Sequence, residues 1–190
     1  MRPGGRSQWG VWTGIFLPIL ALLGVLVWVT VRHQQSLEIG AALARGEAPP
    51  VPAITLRGFD GRQLALKELE GHPAVLNFWA SWCVPCREEA PMLESIWKEY
   101  RAKGLVVIGV DTQDLEIPAR RFLSEHGITY LNVRDPDGST AHMFGTTGVP
   151  ETFFIGPDGR IRGKFPGEQV DRAAWRATVD ALLAGRARVP

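Results

Sequence analysis

Cysteine is nearly absent: the chain of 190 residues carries two, Cys83 and Cys86. So sparse a complement excludes a disulfide-stapled scaffold. A domain of about 140 residues needs no such staple, since it buries roughly two-thirds of the surface its unfolded chain exposes. Excess charge is also missing. The net charge is +1, 22% of residues are charged, and Lys and Arg do not cluster, which excludes an electrostatic nucleic-acid surface. The four histidines, His33, His72, His126 and His142, have no ligand-like spacing among themselves or to the cysteines. A zinc site would lack its remaining ligands. Internal repeats are absent, and from Ser7 to Val31 there is no charge at all.

That uncharged stretch is mostly apolar. About 25 such residues are enough to span the hydrocarbon core of a bilayer as a helix. Trp9, Trp12 and Trp28 lie near its ends, where amphipathic rings favour the membrane interface, and Pro18 is tolerated inside such a helix. A cleaved signal peptide would have a shorter apolar region closed by a small-residue site. The one such site, Ala42-Leu43-Ala44, lies far beyond Val31. The pattern therefore predicts a tail over 1–10 and an uncleaved signal-anchor helix over 11–31. Arg2, Arg6 and the α-amino group precede the span, while Arg32 and Arg45 follow it. This balance puts the N-terminus inside and the bulk of the chain on the extracytoplasmic side of a cytoplasmic membrane. Residues 32–52 end in Pro49-Pro50-Val51-Pro52 and read as a stiff linker. Residues 53–190 remain as one domain.

The domain alternates strand and helix signals. Asp60-Gly61 and Asp158-Gly159 mark two hairpins. Ala74–Ala80 and Leu105–Asp111 are apolar runs suited to buried strands. A helix is expected from Val84 to Lys103, because Leu93, Ile96, Trp97 and Tyr100 recur at helical spacing and Gly104 can end it. Further helices are expected over 116–126, over 139–145 and after Asp171, which is placed to cap the last one. Strands alternating with helices predict an α/β layered sheet.

Cys83 falls where a strand ends and a helix begins, and Cys86 lies one turn further in, within disulfide reach. A helix N-terminus offers unpaired N–H groups and partial positive charge. Both favour the thiolate, the nucleophilic form. Pro85 pre-sets the first turn. A static disulfide closing so short a loop would constrain the unfolded chain little, and a metal site would need two more ligands. A C-x-x-C between strand and helix is instead the thioredoxin-like redox signature. Glu89 shares a helix face with Cys86 and falls on the apolar stripe. It is either a rim carboxylate reaching solvent or a buried one whose raised pKa suits it to pass protons to and from the cysteines.

The stretch from Asn77 to Pro91, NFWASWCVPCREEAP, together with GVD at 109–111 and GVPETFFIGPDGRI at 148–161, resembles the membrane-anchored thioredoxin-like reductases of cytochrome c maturation, the CcmG/ResA/TlpA group. The resemblance covers most of residues 53–184. It implies the thioredoxin-like fold: a central mixed β-sheet flanked by helices, with an N-terminal hairpin and a helix-and-strand insert. It also implies a working Glu89, since Asn77 replaces the buried aspartate of thioredoxin itself. Pro150 matches the cis-proline facing the cysteines, which exposes the Val149 backbone to substrate, and Glu151 is expected to shape the groove. Trp82, Val84 and Pro85 complete the expected substrate rim.

By this resemblance the chain is a thiol–disulfide oxidoreductase, most simply a reductant of apocytochrome c or of its maturation factors. A membrane thiol–disulfide transporter would supply its electrons, and no cofactor or metal would be needed. The protein is expected to be a monomer that binds no nucleic acid. Two rival readings are a disulfide oxidase or isomerase of the same fold, and a membrane-tethered client-binding module with redox-silent cysteines.

Overall fold

The computed structural model describes residues 17–27 and 39–186. Its domain elements run β1 (Thr55–Gly58), β2 (Gln63–Ala65), β3 (Ala74–Trp79), α1 (Val84–Tyr100), β4 (Val106–Thr112), α2 (Glu116–Glu125), β5 (Leu131–Asp135), α3 (Ser139–Phe144), β6 (Glu151–Ile155), β7 (Ile161–Pro166) and α4 (Arg172–Leu183). Seven strands form one mixed sheet in the order β2-β1-β5-β4-β3-β6-β7. Strands β3, β4 and β5 are parallel, and the others join antiparallel. This is the thioredoxin-like α/β architecture expected from the sequence, with α2 and β5 as the added helix and strand.

All six residues of β3 are buried. A central strand covered on both faces reads as a continuous apolar run, and only Asn77 interrupts it. One face packs Leu76, Phe78, Ile108 and Phe153 against Leu66 and Phe144. The other packs Val75, Phe154 and Phe165 against the apolar stripes of α1 and α4, led by Leu93, Ile96, Trp175 and Val179. The Trp175 ring meets Phe154 and Phe165 edge-on, with centroids 5.7 and 5.3 Å away. Asp171 caps α4 by accepting the Ala173 N–H at 2.8 Å. The last turn of the predicted 84–103 helix tightens into a 3-10 turn, Arg101–Lys103, before Gly104 at φ +93°.

The N-terminal region differs in part from the expected linker. Residues 39–44 form a short helix whose Ile39 and Ala42 are buried, Ile39 within the core. Residues 49–51 are hydrogen-bonded to the β6–β7 turn: Val51 N–H donates to the Gly159 carbonyl, and Ile161 N–H donates to the Pro49 carbonyl. Residues 39–52 are thus a strap across the domain. Ile39, Ala42 and Leu43 form a helical stripe, but it follows the long apolar run so closely that it reads as an extension of it.

Residues 17–27 form a helix with exposed apolar side chains such as Leu20, Leu23 and Val27. The expected anchor over 11–31 extends beyond the described residues at both ends, and the 1–10 tail lies outside them. Among the described residues, no helix is long and apolar enough to cross a membrane.

Candidate functional site

The C-terminal end of β3 delivers the chain to a turn, Ala80–Trp82, from which α1 starts. Cys83 is the N-cap of α1, and the Cys86 N–H donates to its Sγ at 3.1 Å. Cys83 and Cys86 are joined as a disulfide with Cα atoms 5.3 Å apart, so the structure is that of the oxidised form. Both cysteines are largely covered, at 4% and 3% exposure. The Cys83 sulfur lies 3.4 Å from the Val149 carbonyl oxygen. Upon reduction, the sulfur of Cys83 would keep the Cys86 N–H at the helix N-terminus, which favours its anion.

Val149-Pro150 is a cis peptide bond, and the Val149 carbonyl beside it faces the Cys83 sulfur. The rim residues separate by position. Trp82 and Val84 are 57% and 61% exposed, and Pro85 is exposed beside them. Trp82, Gln113, His142, Thr147 and Val149 line a groove of about 230 Å³. Glu151 is not on this rim. It is buried, ion-paired to Lys164, and accepts the Thr147 N–H at 3.0 Å. Its carboxylate therefore fixes the 147–150 loop from beneath.

Glu89 is 2% exposed, which answers the choice between rim and buried acid. Its Oε2 accepts from Asn77 Nδ2 and its Oε1 from the Gln169 N–H, both at 3.1 Å. Asn77 Nδ2 also donates to Thr152 Oγ1 at 2.9 Å. Burial is the main influence and pushes the Glu89 carboxyl up to about 7, against the opposing pull of those two donors. A carboxyl with that value is half-protonated near neutrality and can both accept and donate a proton there. Glu88, its neighbour, is exposed.

Sequence reading missed the residues that hold the turn. Ser81 N–H donates to Asp114 Oδ2 at 2.5 Å, and Trp82 Nε1 donates to the Gln113 carbonyl at 3.1 Å. Behind them, fully buried Asp111 forms an ion pair with Arg134 Nε at 3.0 Å. Burial, with the neighbouring Asp114 charge, pushes Asp111 up to about 7 despite Arg134. Among the described residues, no group of three or more His, Cys, Asp or Glu is arranged to hold a metal ion.

Residues 48–164 match the AhpC/TSA family. A thiol:disulfide interchange protein, DsbE, of Pseudomonas fluorescens biotype C is 39% identical over 129 residues, which is 67% of this chain and 70% of that one. The thiol-disulfide oxidoreductase ResA of Bacillus subtilis is 27% identical over 150 residues, 78% of this chain and 79% of that one. The crystal structure of a candidate thiol:disulfide interchange protein DsbE from Chlorobium tepidum superposes with a TM-score of 0.67 at 30% identity, covering 72% of this chain and 96% of that one.

Proposed function

The chain belongs to the AhpC/TSA family and is a thiol–disulfide oxidoreductase, and from that premise we propose that it reduces protein disulfides outside the cytoplasm, with apocytochrome c or its maturation factors as clients. The observation that carries this reading is the Cys83–Cys86 disulfide at the head of α1 with buried Glu89 on the same helix.

In the reduced protein, the Cys83 thiolate attacks a client disulfide. One client sulfur leaves as a thiolate and a mixed disulfide forms. The Cys86 thiolate then attacks Cys83 Sγ, the second client sulfur leaves, and the intramolecular disulfide returns. Two electrons pass to the client. Glu89 takes the proton that Cys86 loses and returns a proton to the cysteines when the enzyme is re-reduced. The re-reductant would be a membrane thiol–disulfide transporter. The uncharged, mostly apolar run from Ser7 to Val31 is the ground for an anchor over 11–31, and the positive residues before it are the ground for an extracytoplasmic domain. The Val149 backbone and the exposed Trp82, Val84 and Pro85 form the client-facing rim.

The deciding measurement is the reduction potential of the full chain in detergent micelles, equilibrated against thiol redox buffers with Trp fluorescence as the readout. A value near or below about −270 mV is expected of a reductant. A value near about −120 mV would reverse the electron flow and make the protein a disulfide-forming oxidant.

A further inference from the structure

We propose that the loop 112–115, braced by Arg134, is a positioning device for Cys83: it grips Ser81 and Trp82 and thereby sets the turn that places Cys83 at the head of α1. This rests on the reading of Cys83 as the attacking thiolate.

Two adjacent loop residues hold two adjacent turn residues. The Asp114 carboxylate accepts the Ser81 N–H, and the Gln113 carbonyl accepts the Trp82 indole N–H. The next links follow within one turn of chain: Cys83 N–H donates to the Ala80 carbonyl at 3.2 Å, and Cys86 N–H donates to Cys83 Sγ at 3.1 Å. A shift of Ser81 therefore moves the sulfur relative to the amide that stabilises its anion.

The loop is built for this at a conformational cost. Gln113 has φ +49°, the one non-glycine residue with positive φ among the described residues. Such a conformation is disfavoured for a residue that carries a Cβ and persists only where the surroundings hold it. Here they do. Gln113 N–H donates to the Asp135 carbonyl, and Thr112 Oγ1 donates to Asp135 Oδ2 at 2.9 Å. Arg134 donates from an Nη to the Asp114 carbonyl at 2.9 Å while its Nε faces Asp111. Gly138 leaves room for the Gln113 side chain, since a Cβ there would sit 2.9 Å from Gln113 Cγ. Arg134 and Asp135 belong to β5, and Asp114 leads into α2. The added helix and strand thus supply the brace for the reactive turn.

The test uses the full chain in micelles with Cys86→Ser, which leaves Cys83 as the sole thiol. Its alkylation rate is followed against pH, alone and combined with Asp114→Ala or Asp114→Asn. The parent is expected to titrate below the free-thiol value of about 8.5. Asp114→Ala should raise that midpoint, slow alkylation at neutral pH on the order of tenfold, and shift the Trp emission. Asp114→Asn keeps an acceptor for Ser81 and should recover most of the rate. An unchanged pH profile in Asp114→Ala, whatever its stability, overturns the proposal while leaving the redox reading intact. A parent that titrates like a free thiol overturns both. If Asp114→Ala does not fold, Arg134→Gln removes the brace on the Asp114 carbonyl. It should raise the midpoint in the same sense, and an unchanged midpoint there is equally fatal.

Discussion

Glu89 stands on the buried face of α1 where helical spacing calls for an apolar side chain, and this one substitution of charge for hydrocarbon has a measurable consequence for the whole chain. Its ordinary value of 4.5 rises to about 7 in the folded protein, chiefly because burial disfavours the anion. The folded chain therefore binds more protons than the unfolded chain between those two values. Stability must fall as pH rises through that window and level off above it. The loss is on the order of 3 kcal/mol between the two plateaus. Denaturation of the oxidised protein at about pH 5 and about pH 8 should show this slope on top of the one that Asp111, also raised to about 7, contributes with the same sign, and Glu89→Gln should remove the Glu89 share and leave the rest. The same substitution should slow disulfide reduction on the order of a hundredfold at neutral pH, since amides exchange no protons with thiols. A variant that keeps both the slope and the rate would assign the titration to another group, with Asp111 the next to test.

Gly109, in the middle of strand β4, shows how a residue serves the site without touching it. Gly109 pairs with Asn77 of β3 and Asn132 of β5, and its missing side chain makes room for the bond from Trp79 Nε1 to Asn132 Oδ1 at 2.9 Å. A Cβ at Gly109 would overlap Asn132 Oδ1 and sit 2.7 Å from Trp79 Nε1. Trp79 in turn stacks on Phe122 of α2 at 4.5 Å, within the cluster that covers both cysteines. Gly109→Ala should therefore cost about 3 kcal/mol, by overpacking and by loss of a buried hydrogen bond. Urea unfolding followed by Trp fluorescence reads that cost directly. Elements of this kind are legible in sequence where a local rule governs them. The Asp-Gly turns, the apolar β3 and β4, the helical stripe of α1 and the Asp171 cap each obey one, as does the Cys83–Cys86 junction. The bracing of the turn was not legible, because Asp114 reaches Ser81 across 33 positions and Arg134 reaches Asp114 across 20. No periodicity or spacing encodes such contacts, and a Thr-Gln-Asp run after a strand reads only as a loop.

The molecule as a whole is polar in its layout. Strand β3 leads toward the cysteines from its C-terminal end, where Phe78 pairs with Glu151, whereas Ala74 at its start pairs with Ile155 just before the β6–β7 turn. The strap is hydrogen-bonded to that turn through Pro49, Val51, Gly159 and Ile161. The chain that arrives from the proposed anchor is thus fastened at the end of the sheet opposite the reactive pair, and the Cys83 rim is free to meet a client. Fastening and chemistry should then be separable by mutation. Ile39 is 6% exposed and packs in the same cluster as Leu56, Leu66 and Phe144. Removing most of its side chain loses transfer energy and leaves a cavity. Ile39→Ala in the full chain should lower unfolding free energy by about 2 kcal/mol and leave the alkylation rate of Cys83 in the folded, reduced protein unchanged. A strap that merely rests on the domain would give no loss of stability. A strap coupled to the site would change both measurements together, and would mean that the tether informs the cysteines of how the domain is held.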